Sequence, residues 1–159
     1  MNDDPSCSIE RTLCVVGERW TFLVLREALS GRTRFAEFRD VLGIAPDVLS
    51  DRLAKLVEHG VLTREPYREP GSRTRHAYRL TPAGHDLAVV LGALQQWGDR
   101  YLPRPSGPTI ERRQRETGAP VHVGFVADDG REVALPDVEF ARTPALPAAR
   151  APAQPGPVR

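Results

Sequence analysis

Lysine occurs once in this chain of 159 residues, at Lys55, and cysteine only twice. No apolar run exceeds about ten residues, roughly half of what a bilayer-spanning helix needs, so a soluble protein without a membrane partner is expected. Two cysteines are too few for a disulfide scaffold and suit a reducing compartment. No charged-then-apolar leader follows Met1, so the expected location is the cytoplasm. The formal net charge of +1 lacks the excess that would draw the whole molecule toward phosphate. His59, His76, His85 and His122 have no ligand spacing with either cysteine, which argues against a metal centre. No nucleophile–base set, glycine-rich phosphate loop or carboxylate pair stands out, so neither an enzyme nor a cofactor is read.

What the chain does have is local pattern. Its 40% apolar content can bury one ordinary core, and one main domain is expected. Ser8 to Ser30 reads as two helical stretches joined at Gly17, and Phe35 to Leu42 as a short helix that ends in a Gly43-Ile44-Ala45 turn. A further helix, Pro46 to His59, is bounded by chemistry. Proline is tolerated at a first helical position, and Gly60 accepts the left-handed conformation that ends helices. Leu49, Leu53, Leu56 and Val57 form its apolar stripe, while Asp47, Val48, Ser50, Asp51 and Lys55 lie opposite. Fourteen residues at about 1.5 Å each give roughly 21 Å, enough to cross a DNA major groove about 12 Å wide.

Val61–Arg64 and His76–Leu80 read as a hairpin around the turn Glu69-Pro70-Gly71-Ser72. Between Gly60 and His85 stand Arg64, Arg68, Arg73, Arg75 and Arg79 against Glu65 and Glu69, so this hairpin is locally basic. The order of helix, turn, helix and basic hairpin is that of a winged helix-turn-helix: mainly α with a small β wing. From Pro82 to Leu102 the helical pattern Leu87, Val90, Leu91, Leu94, Trp97, Tyr101 is widened by Ala88, Val89 and Ala93. A helix that apolar has two neighbours, the second most economically a symmetry mate.

The expected organisation is an arm over 1–7, the winged domain with flanking dimerisation helices over 8–102, and a polar, proline-containing linker over 103–118. A short C-terminal β-hairpin extension follows over 119–143, and a disordered Pro/Ala-rich tail over 144–159. In the extension, Val121–Val126 would pair with Glu132–Leu135 through Asp129-Gly130. Such a hairpin is marginal alone and should dock on something.

Several spaced elements carry a resemblance: Cys7-Ser8-Ile9-Glu10-Arg11, Gly17-Glu18-Arg19-Trp20, Arg34-Phe35, Val48-Leu49-Ser50-Asp51-Arg52-Leu53, Gly60-Val61-Leu62, Tyr67, Arg75-His76-Ala77-Tyr78-Arg79-Leu80-Thr81 and Gly84. From Cys7 to Leu102 the chain resembles the HxlR-type family of bacterial winged helix-turn-helix transcriptional regulators. The resemblance implies a small homodimeric repressor or activator, paired through the first and last helices of the domain. That adds Ile9 and Leu13 to the dimer residues Leu87, Val90, Leu91, Leu94, Trp97 and Tyr101. It also implies, for some members, an N-terminal cysteine that senses oxidants or electrophiles. The chain departs from the family pattern at several places, among them Ala77 where an acidic residue usually precedes the wing tyrosine, and the hairpin after Ala119 lies outside the resemblance. Ala45 replaces the usual serine before the helix proline, forfeiting about 1 kcal/mol of capping, and Asp47 and Asp51 stand where basic or amide residues are common.

The candidate partner is double-stranded DNA, and each candidate contact has a chemical reason. Ser50 offers a hydroxyl to phosphate or a base edge, and Asp47 could accept from cytosine N4. Arg52 runs from the edge of the apolar stripe, and Lys55 is expected to be exposed. Arg73 and Arg75 flank the wing tip, where arginines enter a minor groove or clamp phosphates. Arg34 precedes a helix whose N-terminal N–H groups could meet phosphate. Cys7, at a helix entrance, is the redox-sensing candidate. Cys14 lies seven residues on, so in one helix the Cα atoms would be about 10.5 Å apart, beyond disulfide reach. The effector could instead be a small molecule held at the dimer helices or the C-terminal hairpin. The competing function is a winged-helix module that binds protein, for which Asp47 and Asp51 argue.

Overall fold

The computed structural model describes residues 7–71 and 73–144. The expected arm before Cys7 and the expected tail beyond Pro144 lie outside them. The chain runs α1 (Ser8–Val16), α2 (Arg19–Leu29), α3 (Phe35–Leu42), α4 (Pro46–Glu58), β1 (Leu62–Tyr67), β2 (Arg75–Leu80), α5 (Pro82–Tyr101), β3 (Phe125–Val126) and β4 (Glu132–Val133). It is the winged helix-turn-helix expected from the sequence.

The core forms where helical stripes meet. Val24 and Leu25 of α2, Phe38 of α3 and Leu49, Leu53 and Leu56 of α4 are fully buried, with Leu62 closing the cluster from β1. Each fully buried leucine contributes about 1.5–3 kcal/mol relative to exposure, enough to fix α4 against α2 and turn its other face outward. Both helices of the helix-turn-helix are followed by glycine at positive φ: Gly43 (60°) ends α3 and Gly60 (67°) follows α4. Ala45 gives α4 no side-chain cap, and Pro46 occupies its first turn. The helix survives because its apolar face is packed.

The wing strands are longer than the sequence suggests. Leu62 pairs with Leu80, and the ladder continues through Pro66 opposite His76 to Tyr67 opposite Arg75. Proline normally stops a strand, but here β1 is an edge. The other side of β2 is taken by the chain before α3, through an Arg34–Ala77 bridge and a Tyr78 N–H bond to the Thr33 carbonyl at 2.7 Å.

The C-terminal hairpin is shorter than expected, and the stretch read as a linker is folded onto α5. Val121 N–H bonds the Arg112 carbonyl at 2.9 Å, and Val123 is clamped by Gln96, which accepts from its N–H at 3.0 Å and donates to its carbonyl at 2.9 Å. Backbone groups engaged this way cannot extend β3. The Gln95 amide donates to the Ile110 carbonyl in the same manner. Gly92 makes the approach feasible, since a Cβ there would lie 3.0 Å from Val123 Cγ2 and 3.6 Å from Arg112 Cδ. A glycine inside a helix costs about 1 kcal/mol against alanine, and here it opens the seat for the extension.

Candidate nucleic-acid interface

The outer face of α4 carries Asp47, Ser50, Asp51, Ala54 and Glu58, all exposed. Beside it, the wing forms a groove of about 490 Å³ lined by Ser50, Ala54, Val57, Glu58, Arg64 and Tyr78. A second groove of about 500 Å³ runs between α3 and the wing, past Arg39, Tyr67, Arg75 and His76. Arg73 and Arg75 are exposed on the wing, and neither meets a carboxylate among the described residues. They are the wing cations best placed to reach an external anion.

The other candidates are held within the protein. Arg52 and Lys55 both turn toward Glu18, the N-cap residue of α2: Arg52 forms an ion pair with its carboxylate, and Lys55 Nζ lies 3.5 Å from the same oxygen. Lys55 is therefore half-buried, not exposed as expected from the sequence, because Glu18 draws it back against the domain. Arg34 stacks over Tyr67 with its guanidinium carbon 4.9 Å from the ring centre and bonds Glu69 at 2.8 Å. It fastens the wing to α3. The α3 N-terminus is also occupied: the Thr33 and Arg34 N–H groups donate to Glu37 at 2.9 Å each. These bonds, that from Arg34 first, hold the Glu37 carboxyl below its usual pKa. Ser50 donates its hydroxyl hydrogen to the Pro46 carbonyl at 2.8 Å, leaving only its lone pairs for an outside donor. Within the wing Arg79 bonds Glu65 at 2.9 Å, and Arg64 lies 3.0 Å from His76 Nδ1.

The expected dimer residues divide into two groups. Leu87 and Leu91 pack against the chain's own core, because they face α2 and β2 rather than solvent. Ile9 and Leu13 on α1, and Val90, Leu94, Trp97 and Tyr101 on α5, are exposed. Cys7 is half-buried at the N-cap position of α1 and Cys14 is exposed; both thiols are free. The Cys7 carbonyl accepts the first helical bond of α1, from the Arg11 N–H at 2.9 Å, so Cys7 stands at the head of the helix and Cys14 near its end.

Glu18, Tyr67, Glu69 and Glu37 are the functional neighbours that sequence reasoning missed. Glu18 and Tyr67 stand inside quoted motifs, but the pairings that give them roles cross 34 and 33 residues of sequence, from Glu18 to Arg52 and from Tyr67 to Arg34. Glu37, three residues after Arg34, was readable as half of a capping box.

Comparison with known proteins agrees with this geometry. A transcriptional regulator of the helix-turn-helix type from Mycobacterium tuberculosis H37Rv, itself uncharacterized, is 50% identical over 111 residues, 70% of this chain and 69% of the relative. The crystal structure of the proposed transcription factor PA1607 superposes with a TM-score of 0.75 at 38% identity, covering 88% of this chain and 97% of that one. That share takes in part of the C-terminal extension as well as the winged domain. The redox regulator HypR, in its reduced form, superposes with a TM-score of 0.54 at 28% identity, covering 60% of this chain and 96% of that one. The model for HxlR-like helix-turn-helix proteins matches residues 15–106. With more than half its length in that match and its α4 and wing in the arrangement described, the chain belongs to the HxlR-like helix-turn-helix family of transcriptional regulators.

Proposed function

We propose that a homodimer of this chain regulates transcription from the cytoplasm by binding a pseudo-palindromic operator, and that it is not an enzyme. Each α4 enters a major groove, each wing lies on the backbone or in the adjoining minor groove, and half-sites fall about 10 base pairs or a multiple apart. The observation that carries the reading is the exposed outer face of α4 beside a wing on which Arg73 and Arg75 have no carboxylate partner among the described residues. Cations left uncommitted next to an exposed helix face suit phosphate contact on either side of base readout. Ser50 and Asp47 are the groove-facing candidates; Arg34, Arg52 and Lys55 support the frame in the free protein.

The exposed carboxylates Asp47, Asp51 and Glu58 favour a second reading, a module whose α4 face binds a basic protein surface. Fluorescence anisotropy of the full chain on DNA from upstream of its own gene, against scrambled duplex and across salt, separates the two. Tight, sequence-selective binding with a steep salt slope supports the regulator, because counterion release scales with phosphates neutralised. Equal weak binding to both duplexes at every salt concentration gives the face to a protein.

The signal proposed for Cys7 is an oxidant or electrophile. The thiol stands half-buried at the entrance of α1, the helix that carries exposed Ile9 and Leu13, and a bond to a partner's cysteine would act through that helix. Diamide should weaken operator binding of the wild type and leave Cys7→Ser unaffected. An unchanged response in Cys7→Ser removes the thiol from the mechanism.

A further inference from the structure

The stripe of α4 that faces away from the core consists of Asp47, Ser50, Asp51, Ala54 and Glu58, which share about 100° of the helix circumference and are all exposed. None of them offers a side-chain donor to an outside group. Asp47, Asp51 and Glu58 are carboxylates, and Ala54 brings only a methyl group. The Ser50 hydroxyl gives its hydrogen to the Pro46 carbonyl at 2.8 Å, so its lone pairs are what remains. The cations of the same helix do not change this polarity, because Arg52 and Lys55 lie on its flank and turn to Glu18. Among the described residues Asp47 and Asp51 have no ion-pair partner. The helix that the family uses in its helix-turn-helix therefore presents side chains that accept hydrogen bonds and do not donate them.

We infer that Asp47 and Asp51 are specificity-determining residues that select cytosine in the operator, each accepting from the N4 amino group of a different base. This deepens the operator-binding reading above and rests on it. The edges of the bases in the major groove decide the choice. Guanine presents two acceptors, N7 and O6, which set lone pairs against a carboxylate. Thymine presents an acceptor and a methyl group. Adenine has an amino donor with the N7 acceptor beside it, an edge that suits an amide, which donates and accepts at once. Cytosine alone offers an amino group with no acceptor of its own in the groove. Residues near the start of a recognition helix reach base edges, and Asp47 and Asp51 stand in the first and second turns of α4. Four residues at about 1.5 Å each separate them by roughly 6 Å along the helix axis, so they address different bases. A carboxylate between phosphate walls is repelled, and a base that donates to it offsets the repulsion, whereas any other base leaves it desolvated and unpaired. Asp47 and Asp51 thus discriminate without anchoring. The base-independent attraction falls to Arg73 and Arg75 on the wing.

The test is selection of duplexes from a random library by the full chain, followed by anisotropy on the selected duplex. We expect two cytosine positions in each half-site, at which any other base weakens binding about five- to a hundredfold. Asp47→Asn should change the preference at one of them from cytosine to adenine, and Asp51→Asn should do so at the other. Both residues are exposed, so the variants should keep the wild-type circular dichroism. A second measurement alters only the DNA. N4-methylcytosine keeps the base pair but puts a methyl group in place of the amino hydrogen in the groove, and at either position it should weaken wild-type binding at least about fivefold. The 5-methylcytosine duplex, which keeps the amino group, should lose less. In Asp47→Ala the N4-methyl penalty should vanish at the position that Asp47 addresses and persist at the other. A half-site motif without cytosine would overturn the inference and leave the operator reading standing. So would cytosine preferences and an N4-methyl penalty that stay unchanged when Asp47 and Asp51 are replaced. A wild type that enriches no sequence would overturn the operator reading together with this one, so the two failures are told apart.

Discussion

Arg52 and Lys55 leave α4 three residues apart, and Glu18 takes both. A cation already paired with a carboxylate gains less from a phosphate, because the first bond must be broken or shared. Arg52→Ala should therefore lower thermal stability while leaving the slope of log K against log salt nearly unchanged. Arg75→Ala should do the reverse, lowering the slope by about one with an unaltered melting curve. A slope that falls equally in both variants would mean that DNA releases Arg52 from Glu18. Glu37 belongs at the same scale. Its carboxyl is held below the usual range by the Arg34 and Thr33 N–H groups, so its contribution to stability is complete above the unfolded-state value of about 4.3. That contribution is lost as pH falls through the lower folded-state value. Glu37→Gln should accordingly narrow the stability difference between pH 7 and pH 3 in denaturant titrations; an unchanged difference would remove Glu37 from the acid response.

At the scale of elements, the α4 stripe and the α5 start each depend on close packing. The first turn of α5 crosses the start of the wing at Gly84, whose N–H bonds Thr81 Oγ1 at 3.1 Å. A Cβ on that residue would fall 2.2 Å from the Val61 carbonyl oxygen and 2.9 Å from Leu80 Cδ2. Backbone cannot retreat as a side chain can, so Gly84→Ala should cost about 1–3 kcal/mol or more, although alanine is the better helix former. A stabilised Gly84→Ala in chemical denaturation would show that α5 can shift on the wing. Helix boundaries were legible in the sequence because they are written locally, in Pro46, Gly43, Gly60 and the leucine periods. The strand through Pro66 was not legible, since it depends on β1 being an edge. The docking of residues 109–123 on α5 depends on Gln95, Gln96 and a space at Gly92, none of which has a local signature. The candidate site divides the same way: Arg73 and Arg75 were readable from position, whereas the pairings of Arg34, Arg52 and Lys55 join distant segments.

For the whole molecule, the decisive surface is the apolar one that the chain leaves uncovered. Ile9 and Leu13 are 70% and 52% exposed, and Leu94, Trp97 and Tyr101 are each more than half exposed. Trp97 and Tyr101 pack on one another with ring centres 5.4 Å apart and planes tilted by 42°. Exposed aromatic and aliphatic side chains in such numbers are more than monomers usually present and are what interfaces use. Since Leu87 and Leu91 are spent on the chain's own core, the proposed pairing would rest on the outer α5 residues and α1. The double variant Leu13→Glu/Trp97→Glu places one charge on each helix at exposed positions, so its circular dichroism should match the wild type. The proposed homodimer predicts that sedimentation velocity finds the wild type dimeric and this variant monomeric. Losing the second reading head removes the effective-concentration advantage, and affinity for a two-half-site operator should fall by about a hundredfold or more, with little change on a single half-site. A double variant that remains dimeric would move the interface elsewhere, and a monomeric wild type that still binds the full operator tightly would detach recognition from pairing.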